Sequence, residues 1–326
     1  SNLSIRVLPS HRAYRFVFLA NLYRMKARLK DDFRFPEGET MGILISVLAL
    51  LLFAVASPAG AADVPDVLKV SAIPDENPNE LLRIYTPFAL YLAKELRMKV
   101  QFTPVVDYAA TVEGLAARKL DLVWYGGFTS VQAVRRTNGT AKRLVLRQED
   151  AEFKSVFIAK PGSGINSLAD LKGKTFAFGS VSSTSGHLMP RSFILKANLN
   201  PEKDFKQVAY SGAHDATALW VESGKVDAGA LNFLVWDKLV QTKKVDLTKV
   251  NVFWTTPPYV DYVWTARGDL DKGLQERITA AFLKLDYGNP EHKRLLDLHR
   301  TKKYIKASDE DWKGIEEAAV AAGLLK

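Results

Sequence analysis

The amino-acid sequence predicts an α/β protein of two lobes, joined by two crossing segments, with a ligand cleft between them. Three observations predict this fold. The chain has 326 residues, which is enough for two domains with separate hydrophobic cores. After residue 66, short apolar runs alternate with amphipathic helical stretches, a pattern typical of sheets covered by helices. Turn-rich segments at 160–164 and 256–259 interrupt the alternation, and the two crossings are expected near 155–162 and 256–262.

The first lobe is predicted to comprise residues 63–158 and 260–326, the latter ending in helices. Its strands are expected at 67–73, 100–105, 120–125, 153–159 and 262–266. Its helices are expected at 79–96, 108–118 and 129–136, and the helical tail starts at Asp271 with Ile278, Ala281, Phe282 and Leu285 on one face. The β-α-β-α-β order implies a parallel sheet with helices on its faces.

The second lobe is predicted to comprise residues 159–259. Its strands are expected at 175–178, 206–210, 226–232 and 250–254, and its helices at 188–197, 215–223 and 233–242. Ligands of open α/β sheets bind at the carboxyl ends of the strands. The loops that follow the strands should therefore face a cleft between the lobes, which suits hinged closure around a small ligand.

Residues 1–62 form a leader region that contains a predicted secretory signal peptide at about 41–62. An uncharged apolar run at 42–56 precedes small residues that suit cleavage after Ala61 or Ala62. The run is shorter than the roughly 20 residues of a membrane span, although an uncleaved anchor stays an open alternative. We expect export to a bacterial periplasm; no role is evident for residues 1–24.

Composition excludes several classes of site. There is no cysteine, which excludes disulfides, thiolate metal sites, cysteine nucleophiles and a lipid-modified cysteine anchor. The net charge is +9, but residues 1–62 contribute eight basic and four acidic residues, and the rest of the chain 37 and 32. These later charges are scattered and form no long basic run, so nucleic acid is not an expected partner. We expect a monomer.

A hydroxyl-rich, glycine-bounded loop at 179–188 lies between a predicted strand and a predicted helix. It contains Ser183, Thr184 and Ser185. Such a loop can direct backbone N–H groups and hydroxyls at one point, where the helix dipole favours negative charge. The loop lacks lysine and the P-loop spacing, which argues against a nucleotide site. An ordinary N-capped turn is the alternative interpretation of the loop alone.

Other loops at strand ends offer further polar groups. Tyr108 opens a predicted helix, Tyr125 precedes two glycines, His214 lies at a helix start, and Asp261 lies at the second crossing. Each has a structural alternative: the tyrosines could seal the core edge, His214 could lack a ligand, and Asp261 could cap a turn. In an anion site, Asp261 would have to accept a ligand proton or amine, or orient a neighbouring donor.

Nothing in the sequence indicates an enzyme, a metal or a cofactor. The nucleophile-elbow motif and GxGxxG are absent at the relevant turns. The five histidines, at positions 11, 187, 214, 292 and 299, are dispersed and show no metal-ligand spacing.

From about residue 67 to the C-terminus, the chain resembles the periplasmic binding proteins of phosphate, phosphite and phosphonate ABC transporters. The motifs that carry this resemblance are 183–186 (Ser-Thr-Ser-Gly), 121–126 (Asp-Leu-Val-Trp-Tyr-Gly), 211–215 (Ser-Gly-Ala-His-Asp) and 165–174 (Ile-Asn-Ser-Leu-Ala-Asp-Leu-Lys-Gly-Lys). The last motif is common to many type II binding proteins. Segments 71–78, 126–129 and 256–262 are similar to a selenate-binding subgroup.

The resemblance implies a type II periplasmic-binding-protein fold and assigns roles to several residues. Ser183, Thr184 and Ser185 would bind oxyanion oxygens. Tyr108, Tyr125 and His214 match positions that donate further hydrogen bonds. Asp261 falls near an acid that faces the ligand amine in phosphonate binders, although the local pattern differs here. Phe128 replaces a more polar residue, which suits a smaller pocket.

We therefore expect a periplasmic solute-binding protein that captures a small tetrahedral oxyanion, of the phosphonate, phosphite, phosphate or selenate type, for an inner-membrane ABC permease. A protonatable ligand could donate its proton to Asp261, whereas selenate and sulfate carry none at neutral pH. The alternative is an oxyanion sensor that partners a membrane histidine kinase. An enzyme on the same fold is a third hypothesis.

Overall fold

The structure is a computed structural model that describes residues 63–325, so the expected signal segment lies outside the described residues. The described chain contains eleven strands and ten α-helices. The strands are β1 Val67–Ala72, β2 Lys99–Phe102, β3 Leu122–Tyr125, β4 Lys142–Arg147, β5 Ser155–Ala159, β6 Thr175–Phe178, β7 Gln207–Tyr210, β8 Ala228–Asn232, β9 Asn251–Thr255, β10 Val263–Ala266 and β11 Tyr304–Lys306. The helices are α1 Pro78–Leu96, α2 Tyr108–Ala116, α3 Gly127–Arg136, α4 Met189–Lys196, α5 Pro201–Asp204, α6 His214–Ser223, α7 Phe233–Gln241, α8 Lys272–Leu283, α9 Pro290–Leu298 and α10 Lys313–Ala321.

The strands form two sheets, as the predicted fold class requires. The first has the order β11-β4-β10-β3-β1-β2, and the second has the order β7-β6-β8-β5-β9. In each sheet three consecutive strands are parallel: β2, β1 and β3 in the first, and β7, β6 and β8 in the second. The remaining pairings are antiparallel. The two-lobed α/β prediction is confirmed, but both sheets are mixed rather than parallel.

Strand β5 belongs to a different sheet from the one expected. The sequence-based boundary at residue 158 places it in the first lobe, whereas β5 pairs with β8 and β9 of the second sheet. All five of its residues are buried. Because an apolar strand buried on both faces fits the middle of either sheet, its local sequence carries no information about which sheet it joins. Strands β4 and β11 were not predicted.

Two segments cross between the sheets, at 148–154 and 256–262, and they hydrogen-bond to each other. Phe153 and Tyr259 exchange two backbone hydrogen bonds of 2.8 and 2.9 Å, and the Asp261 N–H donates to Asp150 O at 3.0 Å. Arg147 and Asp150, both buried, form a bidentate ion pair beside this ribbon. The crossings thus form a paired connection that holds Asp261 at the boundary of the two sheets.

Helix caps fix where several loops end. The Asn77 side chain accepts from Glu80 N–H at the start of α1, and Asp107 accepts from Ala110 N–H at the start of α2. The Asn232 side chain accepts from two N–H groups of α7. Each cap follows a strand of the parallel core, so the polar residues concentrate at the carboxyl ends of these strands.

Hydrophobic clusters pack against both sheets, and the one at the first sheet also includes Leu188 and Met189 of the second lobe. One continuous cluster spans the first sheet and its helices. In the second sheet, Val156 and Ile158 of β5 join a cluster on one face, whereas Phe157 and Ala159 join a cluster on the other. Between residues 63 and 325, no helix has the length and apolarity that crossing a membrane requires.

Candidate functional site

The hydroxyl-rich loop after β6 begins a helical segment, as predicted. Ser183 caps it, because its hydroxyl accepts from the Gly186 N–H at 3.0 Å. Residues Thr184–Leu188 form one wide π-type turn that continues directly into α4. Helix formation therefore begins four residues before the predicted position, and Ser183, Thr184 and Ser185 all lie at its N-terminus.

A buried histidine holds the loop in place. His187 contacts the carbonyl oxygen of Val181 through Nδ1 at 2.6 Å, and its Nε2 accepts from Arg191 Nε at 2.9 Å. Because Arg191 can only donate, Nδ1 carries the hydrogen. Burial lowers the pKa of His187 to about 4, so the ring is neutral at physiological pH. His187 thus orients the backbone that leads into Ser183.

The loop contacts the first lobe directly. Phe128 N–H, in the first turn of α3, donates to the Thr184 hydroxyl at 2.8 Å, and the Thr129 hydroxyl donates to Ser182 O at 2.8 Å. A Cβ on Gly126 would lie 3.0 Å from the Thr184 hydroxyl. Glycine at 126 is therefore what permits this close approach. The structure brings the predicted loops of the two lobes together.

Asp261 enters the same space from the second crossing. Its Oδ1 accepts from the Gly127 N–H at 2.8 Å, and its carbonyl oxygen accepts from the Trp312 indole at 3.2 Å. Burial raises the pKa of Asp261 to about 7, although the Gly127 N–H and the Thr184 and Ser185 hydroxyls act to lower it. Near neutral pH this carboxyl can therefore either accept or donate a proton.

Three predicted ligand residues each have a buried polar atom without a hydrogen-bond partner. These atoms are the Tyr108 hydroxyl, Ser185 Oγ and Asp261 Oδ2. The pKa of Tyr108 is raised well above its usual value by burial, then by the charge of Asp75, whereas Ser183 acts to lower it and Asp261 raises it further. These influences are consistent with neighbouring positions for the three atoms. Buried polar groups without partners are uncommon, and together they indicate a site for a polar ligand.

His214 lies beside this space and has a defined tautomer. Its Nδ1 accepts from the Asn232 N–H at 3.3 Å, so the hydrogen is on Nε2, which lies 3.2 Å from the Tyr262 hydroxyl. Burial lowers its pKa to about 4, which keeps the ring neutral. A Cβ on Gly186 would lie 3.1 Å from His214 Cε1, so His214 contacts the oxyanion loop.

Tyr125 has a partner inside the first lobe. Its hydroxyl donates to Thr111 O in α2 at 2.7 Å, and the side chain is completely buried. Because that bond uses the only hydroxyl hydrogen, Tyr125 has lone pairs left but no further donor. Its place at the end of β3 matches the sequence prediction.

Asp75 and Tyr262 complete the polar surroundings, and the sequence-based site did not include them. The Tyr262 hydroxyl donates to Asp75 Oδ2 at 3.0 Å and accepts from Asn232 Nδ2 at 3.0 Å. Burial and then the neighbouring charge of Glu76 raise the pKa of Asp75 to about 7. The available signal was position: Asp75 lies in the loop that follows β1, three residues after its last residue, and Gly126 directly follows the neighbouring strand β3.

The described residues contain no cluster of three or more histidine, aspartate or glutamate side chains placed to hold a metal. Within residues 63–325, no arginine or lysine hydrogen-bonds to Ser183, Thr184, Ser185 or Asp261. Chemically, the site therefore combines neutral donors, a helix N-terminus and carboxyl groups.

Comparison with known proteins is consistent with this arrangement. The family described as ABC transporter, phosphonate, periplasmic substrate-binding protein matches residues 70–312. Over 283 residues the chain is 40% identical to a probable ABC transporter phosphite-binding protein of Prochlorococcus marinus, covering 83% of this chain and 94% of that protein. Over 249 residues it is 32% identical to the phosphonates-binding periplasmic protein of Escherichia coli, covering 74% and 72%.

Among solved structures, that of the Prochlorococcus marinus protein in complex with methylphosphonate is similar throughout. It matches with a TM-score of 0.77 at 39% identity, covering 80% of this chain and 100% of that chain. A binding-protein component of a Pseudomonas aeruginosa phosphonate transporter matches with a TM-score of 0.72 at 26% identity, covering 80% and 87%.

Proposed function

Because the chain belongs to the phosphonate periplasmic substrate-binding protein family of ABC transporters, we propose that it captures phosphite or a short alkylphosphonate for an inner-membrane permease. Proteins of this family bind substrates for transport and are not enzymes, in agreement with the absence of a catalytic motif from the sequence. The sensor hypothesis has no support among these relatives.

One observation carries the choice of ligand: of the eight buried side-chain polar atoms without partners in the described residues, three belong to candidate ligand residues, and these are two hydroxyls and a carboxylate oxygen. The hydroxyls of Tyr108 and Ser185 can donate to anionic oxygens. Oδ2 of Asp261 needs a proton between itself and the ligand, because two bare anions at hydrogen-bond distance repel. A phosphorus oxyacid that retains one proton satisfies both requirements at once.

The same arrangement disfavours an anion that has no proton. Sulfate or selenate could bind only if Asp261 were itself protonated, and its pKa of about 7 makes that form progressively rare above neutral pH. Selenate, which the subgroup resemblance suggests, is therefore the second ligand to be tested. Phosphate carries a proton, so discrimination against it would depend on the shape of the pocket.

The close contacts support a small ligand. The Phe128 N–H to Thr184 hydroxyl bond and the Thr129 hydroxyl to Ser182 bond already join the lobes at this place. Phe128 itself is buried. A bulky substituent on phosphorus would have to separate these groups, so we expect affinity to fall as the alkyl chain lengthens.

We further propose that the lobes rotate about the paired crossings at 148–154 and 256–262. The first lobe then comprises residues 63–147 and 263–326, and the second comprises 155–255, which moves the first boundary to precede β5. We also propose a monomeric binding unit. Lobe closure around the ligand is the change that a permease can recognise.

Isothermal titration of the purified protein against phosphate, phosphite, methylphosphonate, selenate and sulfate tests the proposal. We expect phosphite or methylphosphonate to bind most tightly at pH 7.5, and each to bind at least tenfold more tightly than sulfate. Tight binding of selenate or sulfate alone would contradict the proton-dependent selectivity, and no binding of any of the five would contradict the proposed function. A Ser163→Ala variant, altered in the turn after β5, serves as a control for substitution as such.

A further inference from the structure

A loop of the first lobe contacts the second lobe at three consecutive residues. Asp75, Glu76 and Asn77 lie between β1 and α1. Only Asp75 borders the candidate ligand space, through its bond with Tyr262. Asn77 and Glu76 contact the second lobe at Asp215 and Lys238, which are not among the candidate ligand residues.

The first two contacts involve the start of α6. His214 N–H donates to Asp75 O at 2.9 Å. The carboxylate of Asp215 then accepts two hydrogen bonds from Asn77, one from its backbone N–H at 3.1 Å and one from its side chain at 3.0 Å. A carboxylate with two donors in this geometry makes strong, charge-assisted hydrogen bonds. The α6 start that contributes His214 to the site is thus attached to the first lobe.

The third contact is an ion-pair cluster around Lys238 of α7. Lys238 Nζ bonds to Glu76, and to Glu80 Oε1 at 2.9 Å. Each glutamate also has a cation from its own lobe: Arg300 bonds to Glu76 at 2.9 Å, and Arg83 bonds to Glu80 at 2.6 Å. Lys238 is therefore the cation that crosses between the lobes in this cluster.

The charges in this cluster are removed from water. The side chains are 1% exposed for Glu76, 10% for Glu80 and 15% for Lys238. Burial acts to raise the pKa of Glu76, but Arg300 and then Lys238 outweigh it and the pKa is lowered. The hydrogen bond from Arg83 is the main cause that lowers the pKa of Glu80 to about 2. Both glutamates are ionised at neutral pH.

Opening the lobes would affect the partners unequally. Because Arg300 and Arg83 belong to the first lobe, both glutamates would keep a cation when Lys238 departs. Lys238 and Asp215 would instead return to water with no partner across the cleft. The contacts of Lys238 and Asp215 therefore stabilise the closed arrangement specifically, with little effect on the stability of either lobe alone.

We propose that Lys238 and Asp215 form an interlobe latch with residues 76, 77 and 80, and that this latch determines how long a bound oxyanion remains enclosed. Both are positioning residues, since neither contacts the candidate ligand space. This inference rests on the proposed function, because the enclosed ligand is the phosphorus oxyanion proposed above. The latch adds to the binding free energy only in the closed state.

Lys238→Met tests the latch, because methionine retains an aliphatic side chain while the charge is lost. Lys244→Met is the matched control, since Lys244 is exposed on the same lobe. With phosphite as the probe, we expect the dissociation rate of Lys238→Met to rise about 5- to 100-fold, within the usual range of coupling between sites. The association rate and the melting temperature of the ligand-free protein should stay within error of the wild type.

The dependence of the dissociation rate on ionic strength gives a second test. Substituting a residue that has only a structural role would leave this dependence unchanged. Although the cluster is largely buried while the lobes are closed, opening exposes Lys238 to water, where dissolved ions stabilise the separated charges. The wild-type dissociation rate should therefore increase between 0.05 and 0.5 M NaCl, and it should do so less steeply in Lys238→Met. Asp215→Asn should also accelerate dissociation, because it removes the charge that strengthens the two bonds from Asn77.

The outcomes separate the latch from the proposed function. If wild-type protein binds phosphite and both variants release it at the wild-type rate, the latch is wrong and the function stands. If Lys238→Met lowers the melting temperature of the ligand-free protein and leaves dissociation unchanged, the residue has a structural role only. If the wild type binds no oxyanion, the proposed function is wrong. Small-angle scattering then tests the latch, and identical scattering curves for wild type and Lys238→Met in low salt would overturn it.

Discussion

The backbone N–H of Phe128 donates to the Thr184 hydroxyl at 2.8 Å, and this bond joins the two lobes beside the candidate site. Phe128 lies in the first turn of α3, whereas Thr184 lies at the start of the helical segment after β6. The hydroxyl oxygen is thus an acceptor between lobes, which leaves its hydrogen available for an anion or for Asp261. Thr184 therefore combines a closure contact with the ligand role that we propose.

Replacing Thr184 by valine tests this double role. Valine has nearly the same shape but offers no acceptor, so Phe128 N–H would lose its partner on closure, at a cost of about 1–3 kcal/mol. We expect the dissociation constant for phosphite to rise about 5- to 100-fold in titration calorimetry. Thr184→Ser is the control and should bind within a few-fold of wild type. Equal affinities of the valine and serine variants would contradict the prediction.

Gly126→Ala is expected to impair ligand binding while the lobes still fold. The backbone of Gly126 has φ −72° and ψ 160°, which alanine adopts without strain. An added Cβ would nevertheless lie 3.0 Å from the Thr184 hydroxyl and 3.3 Å from Asp261 Oδ1. Overpacking of this kind costs about 1–3 kcal/mol. We expect weaker phosphite binding at an unchanged ligand-free melting temperature.

Gly314→Ala is the matched control for that substitution. A Cβ there would meet no atom within 4 Å, and the position lies inside α10. Affinity should be unchanged, and the melting temperature should be equal or slightly higher, since alanine favours helix over glycine by about 1 kcal/mol. A similar loss of binding in both variants would show that the contact at Gly126 is not the cause.

Asp261→Asn should change which anions bind. Oδ1 of the asparagine would keep the bond from Gly127 N–H, so that the amide nitrogen replaces the free Oδ2 and presents a donor. We expect phosphite binding to weaken about 10- to 100-fold, because a proton-bearing oxygen of the ligand loses its acceptor. Sulfate binding should strengthen, because the amide presents a donor to an anion that has no proton. Competition titrations at pH 7.5 measure the ratio. An unchanged ratio of phosphite to sulfate affinity would contradict the role of Asp261.

The same substitution predicts a pH-dependent gain in stability. Burial raises the pKa of Asp261 from 3.8 to about 7, so the folded state binds this proton more strongly than the unfolded state. The buried charged carboxylate therefore destabilises the folded protein by its full amount above about pH 7, and this destabilisation disappears as the pH falls toward 4. Ligand-free Asp261→Asn should be more stable than wild type at pH 8, by up to about 4 kcal/mol.

The difference between the two proteins is the quantity to measure, because several other groups also titrate. Burial lowers the pKa of His187 and His214 to about 4, so their stabilising effect is lost as the pH falls below the unfolded value of 6.5. Both proteins share this change. Thermal unfolding at pH 8 and pH 5 should show the advantage of Asp261→Asn shrinking, and an advantage that is constant or grows at low pH would refute the assignment.

Regular elements were predictable wherever one residue pattern favoured one structure. The strand at 175–178 was predicted to the residue, and α7 to within one residue. The start of the helical segment at Thr184 was predicted four residues late, because hydroxyl and glycine residues have low helix propensity and the capping bond of Ser183 outweighs it. Strand β4 was missed because it contains charged residues, yet Arg147 is buried and pairs with Asp150, close in sequence, whereas the largely covered Arg143 side chain pairs with Asp309, which is distant in sequence.

The candidate site was predictable only in part. The glycine-bounded loop and the polar residues after strands identified Ser183, Thr184, Ser185 and His214, since parallel strands bring their carboxyl ends to one edge. Asp75 was missed because an isolated aspartate after a strand is indistinguishable from a turn residue. Tyr125 was selected for its position, and the structure gives its hydroxyl a bond to Thr111 O.

By itself, the sequence determined the two-lobed α/β architecture and the loop that begins the oxyanion segment, because hydrophobic periodicity and capping act over a few neighbouring residues. Only the tertiary structure decided that β5 joins the second sheet, that polar atoms of Tyr108, Ser185 and Asp261 remain without partners, and that Lys238 crosses to Glu76 and Glu80. These features depend on residues up to 162 positions apart. Burial and distance between such residues are set when the whole chain folds and the lobes meet, so no local pattern records them.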